Sequence, residues 1–314
     1  MRESWTKYMD LGIIHFMIYP QVIKGDGPIV ETAERIASDD FFNVLEIGLV
    51  NDPEALKQLK QILEVSRLRP GGAAQPGLLV NKLNLAALDE DGRQAAVVSV
   101  KGAIDQAYYL GARITALLDG ANSWPGKNKA EAATAQFIRS LRELCQYAQD
   151  KATDYTMVIS VENFDRDVDK RSLIGPTVEA AALAAEVRTT HANMGLTVDL
   201  SHLPLLHETP REALTAAKEY LVHSHIGNAL MRDPSREGYG DQHPRMGVPG
   251  GENDVDELVE YLRVLFEIGY FEKALPTPKP VVSFEVKPLS GESSELVIAN
   301  CKRVWREAWD KLKL

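Results

Sequence analysis

The amino-acid sequence predicts an α/β protein, namely a single (β/α)8 TIM barrel with a parallel eight-stranded sheet. Short apolar runs rich in Val, Ile and Leu alternate with longer amphipathic runs from one end of the chain to the other. There are eight apolar runs, and eight strand–helix units are the number that closes a barrel. No glycine-rich fingerprint follows the first run, which disfavours the alternative of a doubly wound open sheet.

Each predicted strand is short and uninterrupted enough to be buried on both faces, as parallel strands are. In chain order the strands are residues 11–16, 43–50, 77–85, 112–120, 155–163, 195–202, 220–227 and 280–288. The helical patterns between them include residues 52–68, 131–152, 177–194 and 254–270. Two of these helices have favourable first residues, because Asp52 precedes Pro53 and Asn253 precedes the run at 254–268.

The chain of 314 residues is interpreted as one domain, residues 1–314, because α/β barrels of this length commonly form a single domain. The longest departure from the alternation is residues 227–252, after the seventh strand. A loop of that length inside a compact domain is usually functional or disordered. Because it contains Asp241, His243 and Arg245, we predict that it covers an active site.

Composition and charge limit the partners of the protein. The formal net charge of −10 disfavours nucleic acid, since phosphate binding needs clustered Lys and Arg. No apolar run approaches the roughly 20 residues that cross a bilayer, and the first residues lack the pattern of a signal peptide, so we expect a cytoplasmic protein without a membrane partner. Cys145 and Cys301 are interpreted as small apolar residues. The amphipathic C-terminus is expected to pack on its own barrel, and a homo-oligomer remains open.

Polar side chains stand where the predicted strands end, which is where active sites of such barrels form. These are His15, Glu46, Asn81, Asp119, Glu162, Asp199, His202, His225, Glu285 and Lys287. Glu162, Asp199 and Glu285 interrupt otherwise apolar strands, and a buried carboxylate is costly unless it is paired or binds a metal. Any one of them could be satisfied by a neighbouring cation or backbone N–H. Together with a histidine they suit Mn²⁺, Mg²⁺, Co²⁺ or Zn²⁺.

Five segments carry a resemblance to a known family. VENFD at 161–165, VDLSH at 198–202, HSHIGN at 223–228, DQHPRMG at 241–247 and SFEVKP at 283–288 resemble the xylose-isomerase-like barrel superfamily. That group includes sugar and sugar-phosphate isomerases and epimerases, inosose dehydratases and the endonuclease IV family. Order and spacing match from about residue 155 to the end, whereas residues 1–150 match only in the rhythm of the strands.

The resemblance implies a metal site and a reaction. Glu162, Asp199, His225 and Glu285 would hold one divalent cation, with Mn²⁺ preferred, and His202 would face a small carbohydrate substrate. By analogy with the ketose 3-epimerase branch, Glu162 and Glu285 would remove and return a proton next to a carbonyl, which is isomerase or epimerase chemistry. The alternative is a lyase on the same scaffold: a dehydratase, a decarboxylase of a keto sugar acid, or an enzyme that cleaves an oxidised glycoside by β-elimination.

Departures from the family pattern leave other roles open. Those epimerases carry an arginine where this chain has Met231. Asp241 and His243 resemble the Asp-x-His pair that supplies extra zinc in the endonuclease IV family, but Asn81 and Asp119 stand where that family has histidines. A three-metal nuclease site therefore looks incomplete, and Asp241 and His243 would bind either the substrate or a second metal.

The remaining candidates each have two interpretations. Arg245 and Lys287 would bind an anionic or polyhydroxylated group of the substrate, or would compensate the charge of the carboxylates. His15 and Glu46 would line the substrate pocket, or would satisfy loop backbones. His223 is predicted to point away from the barrel axis and to be structural. Outside enzymes, the chain could be a binding or complex-forming subunit, against which the complete metal quartet argues.

Overall fold

A computed structural model describes residues 3–313 and shows a closed barrel of eight parallel strands. The strands are β1 Asp10–Ile14, β2 Val44–Ile47, β3 Arg69–Ala73, β4 Ile114–Leu117, β5 Val158–Glu162, β6 Met194–Asp199, β7 Leu221–Ile226 and β8 Val281–Phe284. Each strand pairs with the next, and β1 closes the barrel on β8, where Gly12 lies opposite Ser283. The predicted fold class is therefore confirmed.

Helices connect successive strands on the outside of the barrel. They are α1 His15–Ile18, α2 Ile29–Ala37, α3 Pro53–Ser66, α4 Gln75–Val80, α5 Glu90–Leu110, α6 Lys127–Lys151, α7 Thr177–Arg188, α8 His202–Leu206, α9 Pro210–Ala217, α10 Val255–Glu267 and α11 Ser294–Lys311. Short 3-10 turns occur at Trp5–Lys7, Pro20–Val22 and Tyr270–Glu272. The core fills the barrel interior and the layer between strands and helices. Within residues 3–313, no helix is long and apolar enough to span a membrane.

Of the two helix caps predicted from the sequence, one is confirmed and the other is wrong. Asp52 begins α3 as predicted, since its side chain accepts a hydrogen bond from the backbone N–H of Glu54. Helix α10 instead begins after Asp254, whose backbone N–H donates to Glu257. Asn253 is therefore not the cap. Its side chain donates to the carbonyls of Leu200 and Gly227, and so ties the long loop to the barrel.

The predicted third strand at residues 77–85 is wrong. Strand β3 is Arg69–Ala73, and residues 75–80 form α4. The segment RPGGA lacks the branched side chains typical of strands, but its glycines permit close approach. A Cβ at Gly72 would lie 2.4 Å from Thr115 Oγ1, and one at Gly71 would lie 2.8 Å from Glu46 Cγ. The composition of β3 is therefore explained by the small space left by its neighbours, and the segment lacks the apolar pattern by which strands are predicted.

The correction changes which residue follows β3 at the mouth of the barrel. Asn81 is not at a strand end; it ends α4, where its side chain donates to the carbonyl of Gly77. Gln75 lies just after β3 and is buried at the barrel mouth. Strand β1 is also shorter than predicted, because His15 begins α1.

The C-terminal helix α11 packs on its own barrel. Trp305 and Trp309 are buried and stack at 6.4 Å between ring centroids. Trp5, near the start of the described chain, meets both rings edge-on. An apolar helix face is thereby covered by the same chain.

Candidate active site

Four buried side chains converge where β5, β6, β7 and β8 end. Glu162, Asp199 and His225 lie at the ends of their strands, and Glu285 directly follows β8. One candidate ligand atom from each lies within 4.8 Å of the others. His225 Nδ1 is 3.0 Å from Glu162 Oε1 and 2.9 Å from Glu285 Oε2. The strand ends therefore bring together all four residues that the sequence nominated as metal ligands.

The chemistry of this quartet fits a divalent cation. Three carboxylates share a buried space with one imidazole, and Asp199 Oδ2 has no hydrogen-bond partner. Buried carboxylates without sufficient partners are unfavourable unless a cation compensates them. Oxygen and imidazole donors suit Mn²⁺, Mg²⁺, Co²⁺ and Zn²⁺. The residues present are thus suited to hold one such ion.

The two glutamates of the quartet have different electrostatic surroundings. Burial and the charge of Glu162 raise the pKa of Glu285 above its usual range, although His243 and His225 oppose this. Burial also raises the pKa of Glu162, but the charge and hydrogen bond of His225 outweigh it, so that this pKa is lowered. Carboxyl groups with diverging proton affinities are typical of acid–base pairs.

A chain of hydrogen bonds supports His225 from the side opposite its Nδ1. Glu46 Oε2 lies 3.1 Å from His225 Nε2, and Glu46 Oε1 lies 2.8 Å from His223 Nε2. The prediction that His223 points away from the barrel axis is therefore wrong. Residues two apart on a strand face the same side, so His223 lies beside His225, with ring centroids 5.0 Å apart. A carboxylate on the far nitrogen fixes the imidazole and leaves Nδ1 for a cation.

A second cluster adjoins the quartet on the side of the long loop. His243 Nε2 lies 2.9 Å and His202 Nε2 lies 3.2 Å from Asp241 Oδ1. Ligand atoms of Asp199, His202 and His243 also lie within 4.8 Å of one another. Burial lowers the pKa of His202, but the charges of Asp241 and Asp199 outweigh it and raise this pKa to about 10. The cluster is therefore rich in opposite charges held close together.

Lys170 completes this second cluster and was missed from the sequence. Its Nζ lies 2.5 Å from Asp241 Oδ2 and 2.9 Å from the carbonyl oxygen of Asp241. Burial lowers the pKa of Lys170, but the charges of Asp241 and Asp169 outweigh it and raise this pKa. The ammonium group of Lys170 is thus already paired with the Asp241 carboxylate, which a second metal cation would need as a ligand.

The other nominated residues divide into those inside the cleft and those outside it. Lys287 lines the cleft, and its backbone N–H donates to the carbonyl of His243. Arg245 does not line the cleft and pairs through Nε with Glu292 Oε1 at 2.7 Å. His15 is buried beside Thr32, with 2.8 Å between Nε2 and Oγ1, and burial lowers its pKa to about 4. The structure therefore places Arg245 and His15 away from the cleft.

Asp119, another strand-end residue, is fully engaged by neighbouring loops. Its carboxylate accepts hydrogen bonds from the hydroxyls of Ser123 and Ser172 and from the backbone N–H of Ile174. These contacts hold the loops after β4 and β5 together. Asp119 thus satisfies loop groups rather than lining the cleft.

The quartet opens into a cleft of about 910 Å³, measured with the solvent at its mouth. Of the four, His225 and Glu285 line this cleft. Gln75, which also lines it, donates through Nε2 to Glu162 Oε2 at 2.9 Å. Gln75 was missed because the third strand was misplaced. Mostly polar side chains, together with Phe164, line the side formed by the loops after β5, β7 and β8. Mostly apolar side chains, together with Glu46 and Gln75, line the side near β1 to β3.

Known proteins share this fold. A family model described as "Xylose isomerase-like TIM barrel" matches residues 36–295. A D-tagatose 3-epimerase-like protein has a TM-score of 0.71 and 19% identity, covering 97% of this chain and 100% of that chain. The 3-keto-D-glucoside 4-epimerase YcjR from E. coli has a TM-score of 0.68 and 15% identity, covering 95% and 99%.

A third solved structure, the IolI protein with a binding zinc atom, has a TM-score of 0.68 and 18% identity, covering 97% of this chain and 99% of that chain. No curated protein sequence matches the chain significantly. Identities at this level show a shared fold and leave substrate and reaction to be argued from the site. Because the family model spans most of the chain, this protein belongs to the family of xylose isomerase-like TIM barrels.

Proposed function

We propose that the protein is a divalent-cation-dependent enzyme that moves a proton next to the carbonyl of a ketose or related polyol derivative, and so forms an epimer or isomer. The observation that carries this proposal is the quartet of Glu162, Asp199, His225 and Glu285, buried at the strand ends and open to the cleft through two members. Sugar epimerases among the proteins with this fold support it.

The quartet would hold the cation, with Mn²⁺ preferred and Mg²⁺, Co²⁺ or Zn²⁺ as alternatives. When bound, a divalent cation polarises a substrate carbonyl and stabilises the negative charge that develops on its oxygen. Glu46 keeps His225 oriented toward that position through Nε2. The zinc atom named for IolI supports a divalent cation in this fold without identifying the metal here.

Glu285 and Glu162 are assigned the proton transfer. Glu285 lines the cleft, so we assign it the removal of the proton from the substrate carbon. The electron pair of the broken C–H bond moves toward the carbonyl oxygen. Glu162, whose Oε1 lies 3.0 Å from His225 Nδ1, returns a proton to the carbon. Return of a proton to the opposite face of the same carbon gives an epimer. Return to the former carbonyl carbon, with transfer of the neighbouring hydroxyl proton to the former carbonyl oxygen, gives an isomer.

Substrate hydroxyls are assigned to the polar side of the cleft. Asp241, His243 and Lys287 line it there, and Lys170 adds an ammonium group. His202 is assigned the positioning of Asp241, because its Nε2 lies 3.2 Å from Asp241 Oδ1. Arg245 and His15 are left out of the proposed substrate site because of their other partners.

The test is proton exchange with solvent. The protein, reconstituted with Mn²⁺, is incubated in D₂O with a panel of ketoses and keto-glycosides, and NMR and mass spectrometry follow the carbon-bound hydrogens. We expect deuterium to enter at the carbon beside the carbonyl, with a product of the same composition apart from the isotope. Absence of exchange across the panel would contradict the proposal.

The lyase alternative begins with the same proton removal and is favoured by one observation. The apolar side of the cleft offers space for a leaving group that is not a sugar. A product of lower mass, formed together with a released fragment, would identify elimination, dehydration or decarboxylation instead of epimerisation.

A further inference from the structure

A second cavity lies at the opposite end of the barrel from the proposed metal site, and we name it the basal cavity. Its wall includes the first residues of β2, β3, β4 and β8, which are Val44, Arg69, Ile114 and Val281. Its volume is about 530 Å³, measured with the solvent at its mouth. Because active sites of such barrels form where the strands end, the proposed reaction gives this cavity no role.

The basal cavity favours an anion by its charge. Within the described part of the chain, two arginines line it and no Asp or Glu does, although the sequence has 45 acidic residues against 35 lysines and arginines. Arg69 is paired with the buried Asp10. Arg113 has no ion-pair partner among residues 3–313, and its guanidinium lies over the ring of Tyr155, 4.4 Å from the centroid. Stacking on a ring leaves the N–H groups at the edge of the guanidinium free to donate.

Two lining residues of the basal cavity also have buried polar atoms without a hydrogen-bond partner. His223 is only 4% exposed, and its Nε2 lies 2.8 Å from Glu46 Oε1, whereas its Nδ1 has no partner. Because a carboxylate only accepts hydrogen bonds, Nε2 carries the ring proton, and Nδ1 of the neutral ring is an acceptor. Thr277 Oγ1 is likewise buried without a partner. Such atoms are unfavourable unless a ligand or an ordered water completes their hydrogen bonds.

We propose that the basal cavity is a binding site for a small hydroxy acid. Arg113 binds the carboxylate, because the edge of a guanidinium matches a carboxylate in two parallel hydrogen bonds. The hydroxyl groups bond to Thr277 Oγ1 and His223 Nδ1, directly or through one water. An acid without a hydroxyl matches only the arginine, and a neutral polyol matches only the two wall atoms. A hydroxy acid is the class of ligand that matches both.

This site goes beyond the proposed function and is separate from the proposed metal site. Arg113 precedes β4 and Thr277 precedes β8, at the end of the barrel where the strands begin, whereas the quartet lies where the strands end. Neither residue lines the cleft beside the quartet. We therefore expect variants of these two residues to change the binding of the hydroxy acid and to leave deuterium exchange and metal content unchanged.

Three matched ligands test the class of ligand. D-Glycerate carries a carboxylate and two hydroxyls, propanoate has the carboxylate alone, and glycerol has hydroxyls alone. Calorimetry with the full chain loaded with Mn²⁺ should give glycerate a dissociation constant about tenfold lower than that of either partial ligand, because each lacks one set of hydrogen bonds. Equal affinity for glycerate and propanoate would overturn the assignment of a hydroxy acid. Absence of glycerate binding would overturn the site itself.

Variants localise the binding, which is needed because a hydroxy acid also chelates divalent cations. Arg113→Gln should weaken glycerate binding about tenfold, since it removes the charged donors. The matched control is Arg139→Gln on α6, where the arginine is 57% exposed and pairs with Glu90, and it should leave the affinity unchanged. Thr277→Val should weaken glycerate about fivefold and leave propanoate unchanged. An unchanged glycerate affinity in Arg113→Gln would place the ligand elsewhere and overturn the proposal.

Metal content and deuterium exchange separate this proposal from the proposed function. Arg113→Gln and Thr277→Val should both retain the Mn²⁺ content and the exchange rate of the wild-type protein. If glycerate binds through Arg113 but no ketose exchanges deuterium, the proposed function fails and the basal site stands. If Arg113→Gln loses Mn²⁺ together with glycerate while thermal melts show that it is folded, glycerate is bound at the metal, and the proposal is overturned.

Discussion

The two sides of the barrel mouth are built by the same strand–loop units but carry opposite chemistry. Strands β5 to β8 carry Glu162, Asp199 and His225 at or next to their last residues, and Glu285 directly follows β8. The segments after β1 and β3 instead present Phe16 and the apolar residues of α4. The first side has groups suited to hold a divalent cation, whereas the second presents mainly apolar side chains.

The two sides meet at Glu46 on β2. This carboxylate comes from the apolar half of the barrel, yet it contacts His223 and His225 of β7. Gly71 on β3 leaves room for its side chain, because a Cβ there would lie 2.8 Å from Glu46 Cγ. The comparison shows that β2, from the largely apolar half, orients a residue of the proposed metal site.

The largest effect is expected when a carboxylate of the proposed acid–base pair is replaced. Glu285→Gln keeps the shape of the side chain and removes its ability to accept a proton, so deuterium exchange should fall by about 10² to 10⁴-fold. Glu162→Gln should act similarly. Exposed Glu64, on α3 and 66% exposed in its side chain, offers a matched control as Glu64→Gln. Exchange retained in both site variants would contradict the acid–base assignment.

A smaller effect is expected from the charged cluster beside the quartet. Lys170, whose side chain is 18% exposed, is paired with the buried Asp241. Lys170→Met leaves this carboxylate without its ammonium partner and should lower the free energy of unfolding by about 3 kcal/mol, as measured by denaturant titration. Added Zn²⁺, which the quartet would bind in both proteins, should stabilise Lys170→Met more than the wild-type protein, because Asp241 is then free to join His202 and His243 as a ligand.

The matched control for Lys170 is a pair on the surface. Lys57→Met removes a lysine that is 71% exposed and lies 3.8 Å from Glu54, so stability should change little. An equal loss in both variants, or a Zn²⁺ effect of the same size in the wild-type protein, would contradict the role given to Lys170.

The smallest effect concerns β3, which pairs with β2 and β4 inside the apolar half of the barrel. Gly72→Ala would place a Cβ 2.4 Å from Thr115 Oγ1 and 3.1 Å from Ala107 Cβ, and such overpacking costs about 1–3 kcal/mol. Gly102→Ala on α5 meets nothing within 4 Å and should instead stabilise the helix by about 0.5–1 kcal/mol. Thermal melts should therefore move in opposite directions, and a shared direction would contradict this packing.

The sequence predicted the architecture and the quartet because both leave local signals. Buried parallel strands are continuous apolar runs, and Glu162, Asp199 and Glu285 stand out as charges that interrupt or end them. Strand β3 left no such signal, since Gly71 and Gly72 are selected by contacts with neighbouring strands. The misplaced strand also hid Gln75.

Lys170 shows a second reason why a site residue can be missed from the sequence. It lies in the charged stretch DRDVDKR, which has the composition of a solvated loop. Asp165 folds that loop by accepting hydrogen bonds from the backbone N–H groups of Val168, Asp169 and Lys170. The burial of Lys170 then depends on Asp241, 71 residues away in the sequence. Such a pairing follows from tertiary structure, and the composition of the loop does not indicate it.

The most direct test of the central claim is the metal content of the protein purified without chelator. Elemental analysis should find about one equivalent of manganese, magnesium, cobalt or zinc per chain, and Asp199→Ala/His225→Ala should lose it. Circular dichroism of the variant would establish that the barrel still folds. A protein that binds no divalent cation even after reconstitution, or a folded variant that retains the full equivalent, would contradict the account.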